Sequence, residues 1–436
     1  MGQSVDWSRC LELAASSDVG LRRANNQDAH LISLASDEET WLREGHLLMV
    51  ADGMGAHAAG ELASKIAVDL VPHLYRKHGI LPRPEAIQRS MQEANMEIHR
   101  RGEANLEFHN MGTTGSVLLL LPQGALAAHV GDSRIYRLRG NRLCQLTFDH
   151  SLVWEMRAAG QIPADESIEH AIPRNVITRS LGPQEHVKVD IEGPFPIEVG
   201  DTFLLCSDGL TGRVPDDEIG PILAYMSVKE ATDLLTDLAN LRGGPDNITV
   251  IVGKVTGAEM TSRASAADPL VVGGASKEST AVHPAFWITS GVLILAAAAL
   301  QVTGQSLLSL VLAAIGGCVG LVALAKVMGI FRDSGISLSG GRKLGKGPHR
   351  TANVRSARDF AEWMRITAEN ARRAVELRQW SVDWTTWDSL VGKGLNPSDA
   401  VPPDEVARRY AQALRDLLGQ VRERIVADPH NGDHFS

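Results

Sequence analysis

The sequence predicts an α+β layered domain over roughly residues 1–256, then a two-helix transmembrane hairpin at 284–326, then a small α-helical module at 356–436. Three observations carry this reading. β-rich runs that stop at Gly or Asp alternate with amphipathic helical stretches from about Asp18 to Val255; an uncharged apolar run extends from Pro284 to Ala325; and two amphipathic helical faces recur beyond Ser356.

In the first region LLMVADG, GSVLLLL, ALAAHVGDSRIYRLR, TFLLCSDG and NITVIVGKV have strand composition. The helical stretches between them are ELASKIAVDLVPHLYRKH, PEAIQRSMQEANMEIHRRG, SLVWEMRAAG and VKEATDLLTDLANL. Strand pairs joined by tight turns, with helices segregated between them, favour a layered α+β domain over a doubly wound parallel sheet. Residues 257–283 turn rich in Ala, Ser, Gly and Thr without a period, which is the composition of a flexible linker.

The apolar run divides at Thr303-Gly304-Gln305-Ser306 into 285–302 and 306–325. Each half is close to the roughly 20 residues a helix needs to cross the hydrocarbon core. Lys326, Arg332, Arg342, Lys343, Lys346 and Arg350 crowd the exit, whereas the loop between the halves is uncharged. Basic flanks favour the cytoplasmic side, so the expectation is a two-pass protein of the inner cell membrane with both ends cytoplasmic. Residues 327–355 read as a basic linker. Beyond them Phe360, Met364, Ala368, Ala371 and Val375 mark one helical face, and Val406, Tyr410, Leu414, Leu417, Val421 and Ile425 another, each wanting a partner. Trp363, Trp380, Trp384 and Trp387 read as packing residues of that module. Residues 1–256 alone are expected to be soluble and active.

Composition narrows the function classes. The chain has 436 residues, 44% of them apolar, and a formal net charge of -9. That balance argues against nucleic acid as a partner, which would require a surplus of Lys and Arg on one face. Cys10, Cys144, Cys206 and Cys318 are scattered without CxxC pairing, so neither a zinc cluster nor a disulfide framework is expected. The N-terminal MGQSVDWSRC lacks the basic and apolar segments of a signal peptide, and Asp6 breaks the myristoylation pattern.

Acidic residues recur in one setting, where a strand ends and Asp meets Gly: Asp52-Gly53, Gly131-Asp132 and Asp208-Gly209, with Asp246-Asn247 following Gly243-Gly244-Pro245. An Asp there can leave the core and face a cleft, and an adjacent Gly frees a main-chain carbonyl. Hard oxygen donors of this kind suit Mg2+ or Mn2+ rather than zinc. Each Asp-Gly alone is first a turn former; their joint occurrence carries the inference.

The ordered series SDVGLRRANNQDAH, VADGMGAHAAGELAS, MGTTGSVLL, HVGDSRIYRLR, LTFDHSLVWEMRAAG, NVITRSLG, LLCSDGL and GGPDNITVIV resembles the bacterial branch of the PPM, or protein phosphatase 2C, family over about Asp18 to Val255. The resemblance implies a β-sandwich flanked by helices on both faces, with two or three Mn2+ or Mg2+ ions in a cleft at one end. It implies that Asp52 bridges two metals and the Gly53 carbonyl completes the shell of one, that Asp208 and Asp246 hold the other, and that Asp132 serves a third. Asp28 would act beside the centre and Arg23 would grip the substrate phosphate, with Asn247 and His57 as supporting positions. Two metals about 4 Å apart can bind one water between them and lower its pKa. The resulting hydroxide would attack phosphorus in line while Arg23 and the metals hold the nonbridging oxygens. The segment Leu152–Ala171 resembles the family's flap.

Some positions depart from that pattern. Ala56 stands where the family usually has Gly, with about 1 kcal/mol of strain expected if the position needs positive φ. Gln27 replaces a Glu of some relatives. Eukaryotic relatives carry a proposed acid His directly after Asp-Gly, where this chain has Met54, so a structural hydrogen bond is the expected use of His57. Cys206 lacks a phosphate-cradling loop and reads as strand packing. The expected function is metal-dependent hydrolysis of phosphoserine and phosphothreonine in cytoplasmic proteins from a membrane-anchored enzyme, opposing a Ser/Thr kinase. The competing reading is a membrane-tethered adaptor that binds phosphoproteins with little turnover.

Overall fold

The computed structural model describes residues 7–56, 58–161, 176–262, 270–272, 284–302, 307, 309–315, 317, 336–338, 343–392 and 401–427. They form two compact units, Met1–Asp268 with Ser339–Ser436, and Pro269–Leu338.

In the larger unit the chain runs through β1 (Leu11–Asp18), β2 (Asp28–Ser33), α1 (Glu38–Arg43), β3 (His46–Met54), α2 (Ala59–Lys77) and α3 (Arg83–Ala104). Next come β4 (Gly112–Thr113), β5 (Gly115–Leu121), β6 (Gly124–Val130), β7 (Arg134–Arg139), β8 (Arg142–Gln145) and α4 (Leu152–Ala158). Then follow β9 (Asp190–Phe195), β10 (Thr202–Cys206), α5 (Asp208–Thr211), α6 (Asp216–Tyr225), α7 (Val228–Leu241) and β11 (Ile248–Val255). One sheet has the order β1-β11-β10-β7-β8 before a further edge strand, and the other β2-β3-β5-β6-β9 with β4 paired to β3. All these pairings are antiparallel.

The sheets face each other across a core in which Leu48, Val50, Leu118 and Leu120 meet Ile135, Phe203, Leu205 and Ile251, all buried. Helices α2 and α3 cover the outside of the second sheet, and α6 and α7 that of the first. The expected β-sandwich with helices on both faces is therefore present. Double coverage explains why β5 and β6 are buried at every position and read as continuous apolar runs rather than alternating ones. A reciprocal capping box, Ser227 with Glu230, starts α7.

Both boundaries of this unit differ from the expectation. The first residues of the stretch forecast as a linker from 257 belong to the sandwich: Met260 is buried in its core, and the Ile197 amide donates to the Ser262 hydroxyl at 2.9 Å. At the other end, the stretch read as a basic linker and a separate helical module belongs to the catalytic unit. In the smaller unit β12 (Val271–Val272) pairs with β13 (Ile336–Ser337). Beyond it β14 (Arg350–Asn353) pairs antiparallel with β8, Arg350 opposite Gln145 and Asn353 opposite Arg142, and becomes the edge of the first sheet. With α8 (Pro284–Val302) in the smaller unit, the C-terminal helices are α9 (Ala357–Leu377), α10 (Thr385–Leu390) and α11 (Pro403–Ala427).

The stripes predicted on α9 and α11 find their partner in α6 and α7. Phe360, Met364, Tyr410 and Leu414 share one core with Ile222, Leu223, Leu234 and Leu235. Burying side chains of this size contributes roughly 1.5–3 kcal/mol each. Tyr225 stacks on Phe360 with centroids 5.6 Å apart, and Arg415 reaches Asp233 at 2.8 Å. Trp387 is buried as expected, under the Arg372 guanidinium at 5.3 Å.

The smaller unit does not bear out the transmembrane hairpin. Among the described residues no helix is long and apolar enough to cross a membrane. The first expected span coincides with α8, whereas most of 306–325 lies outside the described residues. Within this unit the Ser309 hydroxyl donates to the Ala297 carbonyl at 2.8 Å, so the two apolar halves touch.

Candidate active site

Antiparallel pairing brings the predicted acidic residues to one end of the sandwich. The C-terminal ends of β3, β6 and β10 carry Asp52, Asp132 and Asp208, and the N-terminal ends of β2 and β11 carry Asp28 and Asp246. Asp28 is the direct cross-strand partner of Asp52.

The main chain around Asp52 is held on every side. Its amide donates to the Thr114 hydroxyl at 2.9 Å, and its carbonyl accepts from the Thr114 amide at 2.8 Å and the Thr113 hydroxyl at 2.9 Å. Gly53 donates to the Gln27 carbonyl at 3.1 Å. A Cβ on Gly53 would fall 2.1 Å from the Gly60 carbonyl oxygen, so only glycine fits there. Asn247 is a strut: its side-chain Oδ1 accepts from the Gln27 main-chain amide at 2.8 Å, and its side-chain Nδ2 donates to the Val19 and Asn25 carbonyls at 3.0 Å. It thereby ties the loop carrying Arg23 to the arm carrying Asp246, and Arg23 pairs with Asp246 at 2.8 Å.

The carboxylates repel one another in a buried setting. Burial, reinforced by Asp208 and Asp246, pushes Asp28 up to about 7. Burial and the charges of Asp28, Asp208 and Asp132 hold Asp52 well above the usual carboxylate range. Burial likewise raises Asp132, with Asp208 the next cause, and Asp208, with Asp246 the next cause. Asp28 receives the Ser207 hydroxyl at 2.8 Å on Oδ2, yet Asp28 Oδ1 and Asp132 Oδ1 are buried without a hydrogen-bond partner. A buried oxygen of this kind costs about 1–3 kcal/mol unless satisfied. Among the described residues no three His, Cys, Asp or Glu side chains are already gathered into a metal cage. The donor set still fits hard divalent cations, being all oxygen, clustered and short of positive charge.

Two further elements line the cleft. Arg134 Nη2 meets Asp149 Oδ2 at 2.7 Å, and Tyr136 donates to Asp216 at 2.8 Å. His150 accepts from the Gly131 amide at 2.9 Å, faces Asp190 at 3.0 Å and stacks on His129 at 4.9 Å, bracing the turn before Asp132. The motifs MGTTGS, GDSR and FDHS contain Thr114, Arg134, Asp149 and His150, but sequence reasoning assigned them no task; a polar residue inside a β-rich motif was the available signal. The cavity beside Asp132 and Asp208 has a volume of about 260 Å3 and is walled by Arg134, Trp154, Arg157 and Arg350. A larger cavity of about 490 Å3 lies away from the carboxylates, between α7 and α11.

The departures resolve individually. Among the described residues only Asn110 and Gln379 combine positive φ with a side chain, so Ala56 is not strained; Gly55, with φ of 146°, makes the turn instead. Burial pushes the Cys206 thiol far up, which leaves no thiolate for nucleophilic attack. His57 and most of the expected flap beyond α4 lie outside the described residues.

The family model for protein phosphatase 2C matches residues 22–241. The serine/threonine phosphatase stp of Listeria welshimeri serovar 6b is 38% identical over 241 residues, 54% of this chain and 92% of that protein. Protein phosphatase PhpP of Streptococcus pneumoniae serotype 2 is 37% identical over 246 residues, 55% of this chain and 96% of that protein. The crystal structure of serine/threonine phosphatase Stp1 from Staphylococcus aureus superposes with a TM-score of 0.50 at 30% identity, covering 59% of this chain and all of that one.

Proposed function

The chain belongs to the protein phosphatase 2C family and is a serine/threonine phosphatase, and from that premise we propose that it removes phosphate from phosphoserine and phosphothreonine proteins while anchored at a membrane, opposing a Ser/Thr kinase. The observation that carries the catalytic reading is the set of five Asp residues delivered to one cleft by five strand ends, with two carboxylate oxygens unpartnered.

Asp52, the Gly53 carbonyl, Asp208 and Asp246 would hold two Mn2+ or Mg2+ ions, and Asp132 would serve a third. Such ions supply charge neutralisation and a water acidified for attack on phosphorus. Arg23, at the mouth of the cleft with its side chain 49% exposed, offers the planar donor pair that suits two phosphate oxygens. Asp28, the cross-strand partner of Asp52, would stand beside the reacting water, where a carboxyl group can hold or pass a proton. The adaptor alternative is disfavoured by the intact set Arg23, Asp52, Asp132, Asp208 and Asp246. The expected result is Mn2+-dependent phosphate release from a phosphothreonine peptide, abolished in Asp208→Asn; full activity in EDTA would sink the reading.

The anchoring part of the proposal rests on the smaller unit. Val292, Leu295 and Leu310 are 59%, 72% and 68% exposed, whereas Ser290, Ala297 and Ser309 are buried. The outward aliphatic side chains give this unit an apolar surface of the kind that a lipid surface can receive. Sedimentation of the full chain with membranes at high salt is expected; a full chain soluble without detergent would refute the anchor.

A further inference from the structure

The geometry points to Arg350 as a specificity-determining residue that selects phosphoresidues with an anionic neighbour, either an acidic side chain or a second phosphate on the same peptide. This inference rests on the phosphatase reading above and adds a substrate preference to it. Arg350 lies beyond residues 22–241, the span matched by the family, and reaches the cleft only because β14 joins the catalytic sheet.

The strand is latched to the sandwich by a buried carboxylate that takes no part in the proposed chemistry. Glu192, 5% exposed, accepts from the Gly347 amide at 2.7 Å and faces His349 Nε2 at 3.0 Å. Gly193 and Leu344 exchange backbone hydrogen bonds, and the His349 amide donates to the Gln145 carbonyl at 2.9 Å. The approach is too close for a side chain at Gly345, where a Cβ would lie 1.9 Å from Glu192 Oε2. Such a seating sets the register that points Arg350 at the cavity containing Asp132 and Asp208.

Once there, Arg350 has unused capacity. Its guanidinium carbon stands 5.9 Å from the Trp154 ring centroid, and its nearest carboxylate is Asp216, with Nε to Oδ2 at 3.9 Å, beyond hydrogen-bond reach. Asp216 itself already receives the Tyr136 hydroxyl, and Arg134 is occupied by Asp149. The Arg350 fork therefore retains donors for an incoming anion, which a planar guanidinium binds in bidentate fashion. Residues of an extended peptide are spaced about 3.4 Å apart, so a side chain one to three positions from the phosphoresidue can span a cavity of this size.

The test uses the full chain with Mn2+ and three phosphothreonine peptides of equal length, flanked by Asp and Glu, by Asn and Gln, or by a second phosphoserine. Wild type is expected to favour the anionic peptides by about tenfold in kcat/KM, mostly through KM, the effect of one charge-assisted contact. Arg350→Glu should abolish or invert the preference and Arg350→Lys should keep part of it. A greater preference for the second phosphate assigns the site to that group, and an equal one to acidic side chains generally. An unaltered ratio in Arg350→Glu, or an equal fall on all three peptides, overturns the proposal. Wild type releasing no phosphate from any peptide overturns the phosphatase reading, and this inference with it.

Discussion

The two outer helical layers of the sandwich look alike in sequence and are finished differently. On one side α2 and α3 bury Ile66, Val71, Ile87, Met91 and Ile98 and leave Glu61, Lys65, Asp69, Arg89 and Arg100 in solvent. On the other, no residue of α6 and only Lys229 of α7 is fully exposed. Even Thr232 and Thr236 are buried there, their hydroxyls satisfied by the carbonyls one turn back at 2.8 and 3.0 Å. A helix buried all round needs covers on two sides. The first sheet is one cover of α7, and the C-terminal α9 and α11 are the other.

That difference is broken most severely by truncation. A chain ending at residue 256 strips the second cover from α6 and α7, and it should aggregate or unfold with a loss well above about 5 kcal/mol, the scale of a domain's whole stability. Thermal unfolding of that fragment decides the matter: a melting temperature equal to that of the full chain would mean the C-terminal layer is decoration. The same measurement tests the expectation of a soluble, active 1–256 fragment. Next in size, Phe360→Ala should cost about 3–5 kcal/mol by denaturant unfolding, as much as a large-to-small change in any central core. A cost below about 1 kcal/mol would mark the α9 interface as loosely packed.

The two sides should also answer pH with opposite sign. His46, by the second sheet, accepts from the Ala35 amide at 2.9 Å among Trp7 and Trp41, and burial pushes it down to about 4 from 6.5. The unfolded chain then binds the proton first, so stability is full above pH 6.5 and lost as pH falls towards 4, by on the order of 3 kcal/mol. His46→Gln should flatten that slope. Asp237, on α7 against α11, is raised to about 6 from 3.8 by burial, with Arg415 opposing at 3.2 Å. Here the folded chain binds the proton first, and stability is lost as pH rises from about 4 to 6. Partial exposure limits the effect to roughly 1–2 kcal/mol. Protection factors in α11, the intrinsic exchange rate at each pH divided by the observed rate, should rise on acidification across that window in the parent chain and stay constant in Asp237→Asn.

The catalytic end was legible residue by residue because each ligand candidate announces a strand end locally. Asp52, Asp132 and Asp208 follow apolar runs and Asp246 precedes one, which marks them as a set, while the roles expected of them came from the resemblance to the phosphatase family. The supports were less legible. Asn247 follows Asp246 in the sequence, but its work is done on Val19, Asn25 and Gln27, which only folding brings near. Ala56 carried an expectation of strain because the neighbouring Gly55 could not be seen to make the turn.

What the sequence determined alone is whatever depends on short-range pattern: the alternation of strands and helices, the acidic strand ends, the apolar character of 284–325 and the amphipathic stripes beyond Ser356. Tertiary structure alone decided what those stripes cover and that Arg350 enters the cleft. An amphipathic face specifies that it will be buried, but the hydrophobic effect is non-directional and does not name the partner. The partner was set by the geometry of α6 and α7 and by a strand register latched at Glu192, contacts between residues far apart in the chain.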